Sequence, residues 1–180
     1  MLEDICRVIL TNVPLFLFVT ALLLAALTSR QALSKADHFL RWILLLPVGA
    51  DALWAGLYHV LAPETAADFI GWQVSPFQFE VGVADIALGV TAIVSFWRSL
   101  DFRAAVVVYA ALFYVGVVYG HINDALSTGN YAAGNIGILL VVSIVRPLLL
   151  VALLWAATRD SRIAARQTAM GDAISELDEF

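Results

Sequence analysis

The stretch Phe39-Leu-Arg-Trp-Ile-Leu-Leu-Leu-Pro-Val-Gly-Ala-Asp-Ala-Leu-Trp-Ala-Gly-Leu-Tyr-His-Val-Leu61 decides the fold of this chain. It is close to the ~20 apolar residues that cross a ~30 Å hydrocarbon core. Yet it carries a carboxylate, Asp51, near its middle and an imidazole, His59, near its end. Four other runs of the same character span residues 8–27, 76–97, 104–121 and 136–157. Of the 180 residues, 62% are apolar and only 14% charged, whereas a soluble domain has about a quarter of its residues charged. The expectation is an all-α, polytopic membrane helix bundle of five transmembrane helices. Residues 1–158 form that domain and residues 159–180 a cytoplasmic tail, read as a short helix fraying toward its end.

Local signals refine the pattern. Pro63 closes the second run, and the stretch 64–72 mixes polar and apolar residues, which suits a short interfacial helix with Trp72 as a headgroup-level anchor. Trp42 reads as another such anchor. Ser75-Pro76-Phe77-Gln78 sets an N-cap serine, a first-turn proline and a capping-box glutamine in register. The segment 127–135 is rich in turn formers. Cys6 is the only cysteine, which excludes an internal disulfide or a CxxC pair. The first apolar run is longer than a signal-peptide core and is expected to stay as a helix.

Eight of the ten basic residues fall on one side of this pattern. Arg30, Lys35 and Arg41 flank the first loop, Arg98 and Arg103 the third, and Arg159, Arg162 and Arg166 the tail. The positive-inside rule therefore puts the N-terminus outside and the C-terminus in the cytoplasm, in the cell inner membrane. So few basic residues, already explained by topology, give no reason to expect nucleic-acid binding. The expected partners are the lipid bilayer and either further copies of the chain or a larger membrane complex.

Charges inside spans cost roughly 2.5–3.5 kcal/mol each at the centre, so each needs a partner or a purpose. A rise of ~1.5 Å per residue sorts them into two layers. Asp51, Asp85 and Arg146 lie deep and form a candidate buried charge network, in which two carboxylates share one guanidinium. Pro147 adds to it by leaving the carbonyl of Ser143 without a helical donor. His59, Glu80, His121 and Asp124 lie near the outer boundary, with His121 and Asp124 spaced to project from one helix face. Two imidazoles and two carboxylates suit a divalent metal or a proton relay. Trp54, Tyr58, Phe77, Phe79, Tyr114 and Tyr119 flank this layer and suit haem or a quinone less strongly, since aromatics are ordinary at membrane interfaces. Gly49, Gly56, Gly82, Gly89, Gly116, Gly120 and Gly137 most simply permit close helix packing.

From Pro47 through Trp97 the chain resembles the DoxX-like group of small bacterial membrane proteins, with Gly49 and Gly56 on one span and Glu80-Val-Gly82 followed by Leu88-Gly89 on the next. The signature His59…Pro63-Glu64…Gly71-Trp72…Ser75-Pro76-Phe77-Gln78…Glu80-Val-Gly82…Asp85 is also similar to an uncharacterised bacterial multi-pass family. The DoxX-like resemblance covers about a third of the chain. It implies a four-helix bundle with quinone-linked or redox-stress associations, and it transfers only Glu80 as a polar site residue. Three functional expectations stand. One is a metal- or quinone-linked redox role at the His/carboxylate layer. Another is a proton- or ion-coupled small-solute carrier built on the deep charges. The third is a non-catalytic accessory subunit or scaffold.

Overall fold

In the computed structural model, residues 12–29 and 34–177 are described, with side chains to residue 175. Cys6, Arg7, Arg30 and the first residues of the 8–27 run lie outside the described residues. All regular structure among the described residues is helical. Helix α1 is Val13–Thr28, α2 is Lys35–Ile43, and a π-helical segment Leu44–Ala50 joins α2 to α3, Asp51–Leu61. Helices α4 (Pro63–Ile70), α5 (Pro76–Ser95), α6 (Leu100–Thr128), α7 (Ala133–Ile136) and α8 (Ile138–Leu177) complete the chain. Four helical stretches are long and apolar enough to cross a membrane: Lys35–Leu61, Pro76–Ser95, Leu100–Thr128 and Ala133–Ser175. The 16-residue α1 is apolar throughout but shorter.

The π-helical segment follows from Pro47, which lies inside it. Proline offers no N–H and its ring clashes with the preceding turn, so the hydrogen-bond ladder widens there. The Asp51 N–H accordingly reaches back to the carbonyl of Leu46. The widened turn sets the direction in which Asp51 enters the bundle. Such insertions are frequent at functional sites.

Helix α3 packs along α5, α6 along α8, and α2 against both α1 and α8. The α3–α5 pair is held at backbone contact by four glycines. A Cβ at Gly56 would lie 2.6 Å from the Gly82 carbonyl oxygen, and one at Gly89 would lie 2.6 Å from the Leu53 nitrogen. A Cβ at Gly49 would meet Ile93 at 2.7 Å. Each helix spaces its glycines seven residues apart, so they recur on one face and the antiparallel backbones meet there. Gly116 and Gly120 have nothing within 4 Å of a Cβ, so the close packing expected at those two does not occur. The buried core runs between these pairs through Leu40, Leu44, Val48, Leu88, Val107 and Leu150.

Several local expectations need correction. The tail is not a separate short helix, because α8 continues unbroken to Leu177. Ser75 caps α5 in an extended conformation but its side chain makes no capping bond. Gln78 is buried and donates instead to the Pro63 carbonyl at 2.7 Å, a bond that ties α5 to the start of α4. Trp42 points inward, edge-on to Phe96 with ring centroids 5.2 Å apart.

At the end of the bundle carrying α2 and the α5–α6 connection, Arg103 is 2% exposed. Its Nε and Nη2 donate to Asp37 at 3.0 and 2.7 Å. Its Nη1 donates to the carbonyl of Arg98. Asp37 also accepts from Arg41 Nε at 3.0 Å. Ser34 donates to Asp160 at 2.8 Å, joining the start of α2 to α8.

Two sets of substitutions test the glycine contact. Gly56→Ala and Gly89→Ala are each expected to destabilise the fold by about 1–3 kcal/mol, because the new methyl meets backbone rather than a movable side chain. Gly116→Ala and Gly120→Ala should be neutral or slightly stabilising. Reversible unfolding in mixed micelles measures all four, and equal effects at both sets would remove the distinction.

Candidate functional site

The deep polar centre sits where α3, α5, α6 and α8 converge. Arg146, 3% exposed, donates from Nη2 to Asp51 Oδ2. Its guanidinium lies over the ring of Tyr114, with the guanidinium carbon 4.8 Å from the ring centroid. Tyr114 is itself buried, so its ring shields the ion pair from the side of α6 and adds a cation–π attraction. Pro147 leaves the Ser143 carbonyl without its helical donor in this same turn of α8.

The pair does not use up the site's polar capacity. Asp85 is 9% exposed and faces Asp51 and Arg146, and it makes no ion pair or hydrogen bond among the described residues. Arg146 Nε is buried without a hydrogen-bond partner. The site therefore contains two carboxylates, one guanidinium and an unused donor.

The other polar centre lies where α4, α6 and α7 meet. Gly71 ends α4 in the left-handed conformation, with φ of 82°, which a residue bearing a Cβ adopts at a cost. The Trp72 N–H then returns to the Ala67 carbonyl at 2.8 Å, and this turn aims the indole at α6. Trp72 Nε1 donates to Asp124 at 2.9 Å, and the indole stacks on His121 with centroids 5.3 Å apart. Asp124 Oδ2 accepts further bonds from Asn130 at 2.8 Å and Asn135 at 3.2 Å. The buried Asn135 presents its side-chain oxygen to His121 Nδ1. His121 and Asp124 do share one face, as their spacing implied. What that face holds is an indole and two amides, in a clasp joining α4 to the loop after α6.

The four residues expected near the outer boundary are not drawn into one centre. Glu80 is exposed on α5. His59 is half-buried and lines a recess of about 80 Å³ with Trp72, Gln73, Ser75, Phe77 and Gln78. Its Nδ1 is buried without a partner. Among the described residues, no group of three or more His, Cys, Asp or Glu side chains is arranged to hold a metal ion. Of the flanking aromatics only Tyr114 is buried against the polar sites, whereas Phe77, Phe79 and Tyr119 are exposed.

A family model described as a family of unknown function, DUF6790, matches residues 11–163. The chain belongs to this family. The match agrees with the likeness to an uncharacterised multi-pass family and adds nothing to the DoxX-like one. It spans every residue of both polar centres, from Asp51 to Arg146. No curated protein and no solved structure matches the chain.

Breaking one side of a buried ion pair strands the other charge, at a cost of about 3–5 kcal/mol. Arg146→Met alone, or Asp51→Asn alone, is therefore expected to lower the unfolding free energy by that order. Asp51→Asn combined with Arg146→Met should recover much of the loss. Detergent-micelle unfolding of the three variants reads this directly, and additive losses in the double variant would rule out the coupling.

Proposed function

We propose that this DUF6790 member is a five-span inner-membrane protein that couples proton binding at Asp85 to the movement of a small solute, with Asp51 and Arg146 as its switching ion pair. The N-terminus faces outward and the C-terminus the cytoplasm, as the distribution of lysine and arginine favours. The observation that carries the reading is the charge inequality in the deep site. Arg146 bonds to Asp51, while Asp85 stands buried beside them without a partner. In a medium that cannot solvate it, an uncompensated carboxylate charge is removed by a proton or a small cation. Gain or loss of that proton changes the competition between Asp51 and Asp85 for Arg146. The unused Arg146 Nε and the freed Ser143 carbonyl give the rearranged guanidinium or a bound water somewhere to bond. Five spans are few to enclose a solute path, so two copies acting together fit the task better.

A redox reading at the outer recess has one observation in its favour, the unpartnered Nδ1 of His59, which is open to a metal or to a quinone oxygen. Stoichiometric metal in the purified protein, lost in His121→Ala, would favour that reading over the proton one.

The proton reading is tested in two steps. Infrared difference spectra between acid and alkaline pH should show a buried carboxylic-acid carbonyl band that disappears in Asp85→Asn and persists in Glu80→Gln. In proteoliposomes holding a pH gradient, a pool of small solutes should accelerate dissipation with wild-type protein. Asp85→Asn should slow this by about tenfold or more, the scale expected for losing a proton-transfer group. A band unchanged in Asp85→Asn, or solute-driven flux insensitive to it, would sink the proposal.

A further inference from the structure

Helices α5 and α6 are consecutive in sequence, yet they part over much of their length. Between them lies a groove of about 400 Å³, lined by Ala87, Leu88, Thr91, Phe102, Ala105 and Val106, among others. The small side chains of Ala87 and Ala105 make the opening. The Thr91 hydroxyl does not make it polar, because it donates to the Ala87 carbonyl at 2.8 Å. Tyr109, exposed at the groove, contributes one hydroxyl, so the lining is mostly apolar and poor in partners for water, on the side of a bundle whose surroundings are hydrocarbon. Its volume falls within the roughly 300–1,000 Å³ of ligand pockets.

Residues 96–99 connect the two helices, a few residues beyond Thr91 and Phe102 of the groove lining. Trp97 is 70% exposed there, which suits a side chain at headgroup depth. Two arginines lie at this end and behave differently. Arg103 turns inward to Asp37, whereas Arg98 is exposed and has no carboxylate partner among the described residues. Asp101, exposed on the first turn of α6, is the neighbouring negative charge.

We propose that the α5–α6 groove is a binding site for one anionic phospholipid, with an acyl chain between Ala87 and Ala105 and the headgroup phosphate at Arg98. The proposal is independent of the proton reading, since it uses none of the deep charges. It makes the lipid a structural part of the bundle, filling a gap that would otherwise leave two helix faces without packing atoms.

Native mass spectrometry in mild detergent, with phosphatidylglycerol and phosphatidylcholine of equal chain length, tests it. Wild-type protein should retain one phosphatidylglycerol with about fivefold preference, equivalent to the ~1 kcal/mol that a juxtamembrane arginine contributes. Arg98→Gln should abolish the preference while circular dichroism shows the helix content intact. Ala105→Phe, or Ala87→Leu if the first does not fold, should lose the retained lipid whatever its headgroup. Equal retention of both lipids, or a preference unchanged in Arg98→Gln, would reduce the site to annular lipid only and overturn the proposal. So would a dimer in place of the lipid that Ala105→Phe dissociates.

Discussion

Arg146 enters the apolar interior with Asp51, and the arrangement of the bundle follows from keeping the two together. A guanidinium 3% exposed needs its carboxylate at hydrogen-bond distance and something to exclude water around it. The π-helical turn after Ile43 rotates α3 so that Asp51 meets α8, and the ring of Tyr114 covers the guanidinium from α6. The glycine contact between α3 and α5 then brings Asp85 to the same place. Had α5 stood off by an ordinary helix spacing, that second carboxylate would be farther from the pair. Glycine packing and charge chemistry are one design here.

The two ends of the bundle are secured by different means. At the end with the α5–α6 connection, Arg103 gathers Asp37 and backbone carbonyls, so the lock is ionic and largely buried. At the other end, Asp124 gathers an indole and two amides, so the lock is built from neutral donors around one carboxylate. The recess beside His59 opens next to this neutral clasp, just past the Gly56–Gly82 contact. Of the two ends, this one leaves a buried imidazole nitrogen without a partner.

The long apolar runs made the helices legible in the sequence, and the similar depth of Asp51, Asp85 and Arg146 put two carboxylates near one guanidinium without saying which of them would bond to it. The seven-residue glycine spacing was legible too, but not which glycines would meet a neighbour. Gly116 and Gly120, four residues apart, also recur on one helix face, yet they face open space. The π-helical turn had one trace, Pro47, which marks an interrupted ladder without saying that it opens into a π turn, and the other residues from Leu44 to Ala50 offered no periodicity to break. Tyr114 was one aromatic among several until Arg146 lay over it. Asn130 and Asn135 read as turn formers, which they are, and their amides bond at the same time. Asp37 was hidden by reading Arg41 and Arg103 only as markers of topology. Glu80 carried a usable signal. It lies two residues from Gly82, about 200° around the helix, and so points away from the packed face.

Helix α8 has 40 residues, which at ~1.5 Å each makes a rod about 60 Å long, roughly twice the thickness of a hydrocarbon core. Its distal half is exposed from Ser161 through Ser175. Pro147, the weak joint of that rod, adjoins the arginine of the deep site. From Pro147 to Leu177 is about 45 Å, so a bend of about ten degrees there would sweep the distal tip through roughly 8 Å. Under the proposed proton coupling, a change of partner at Arg146 would have a lever attached to it, long enough to be felt well clear of the bilayer.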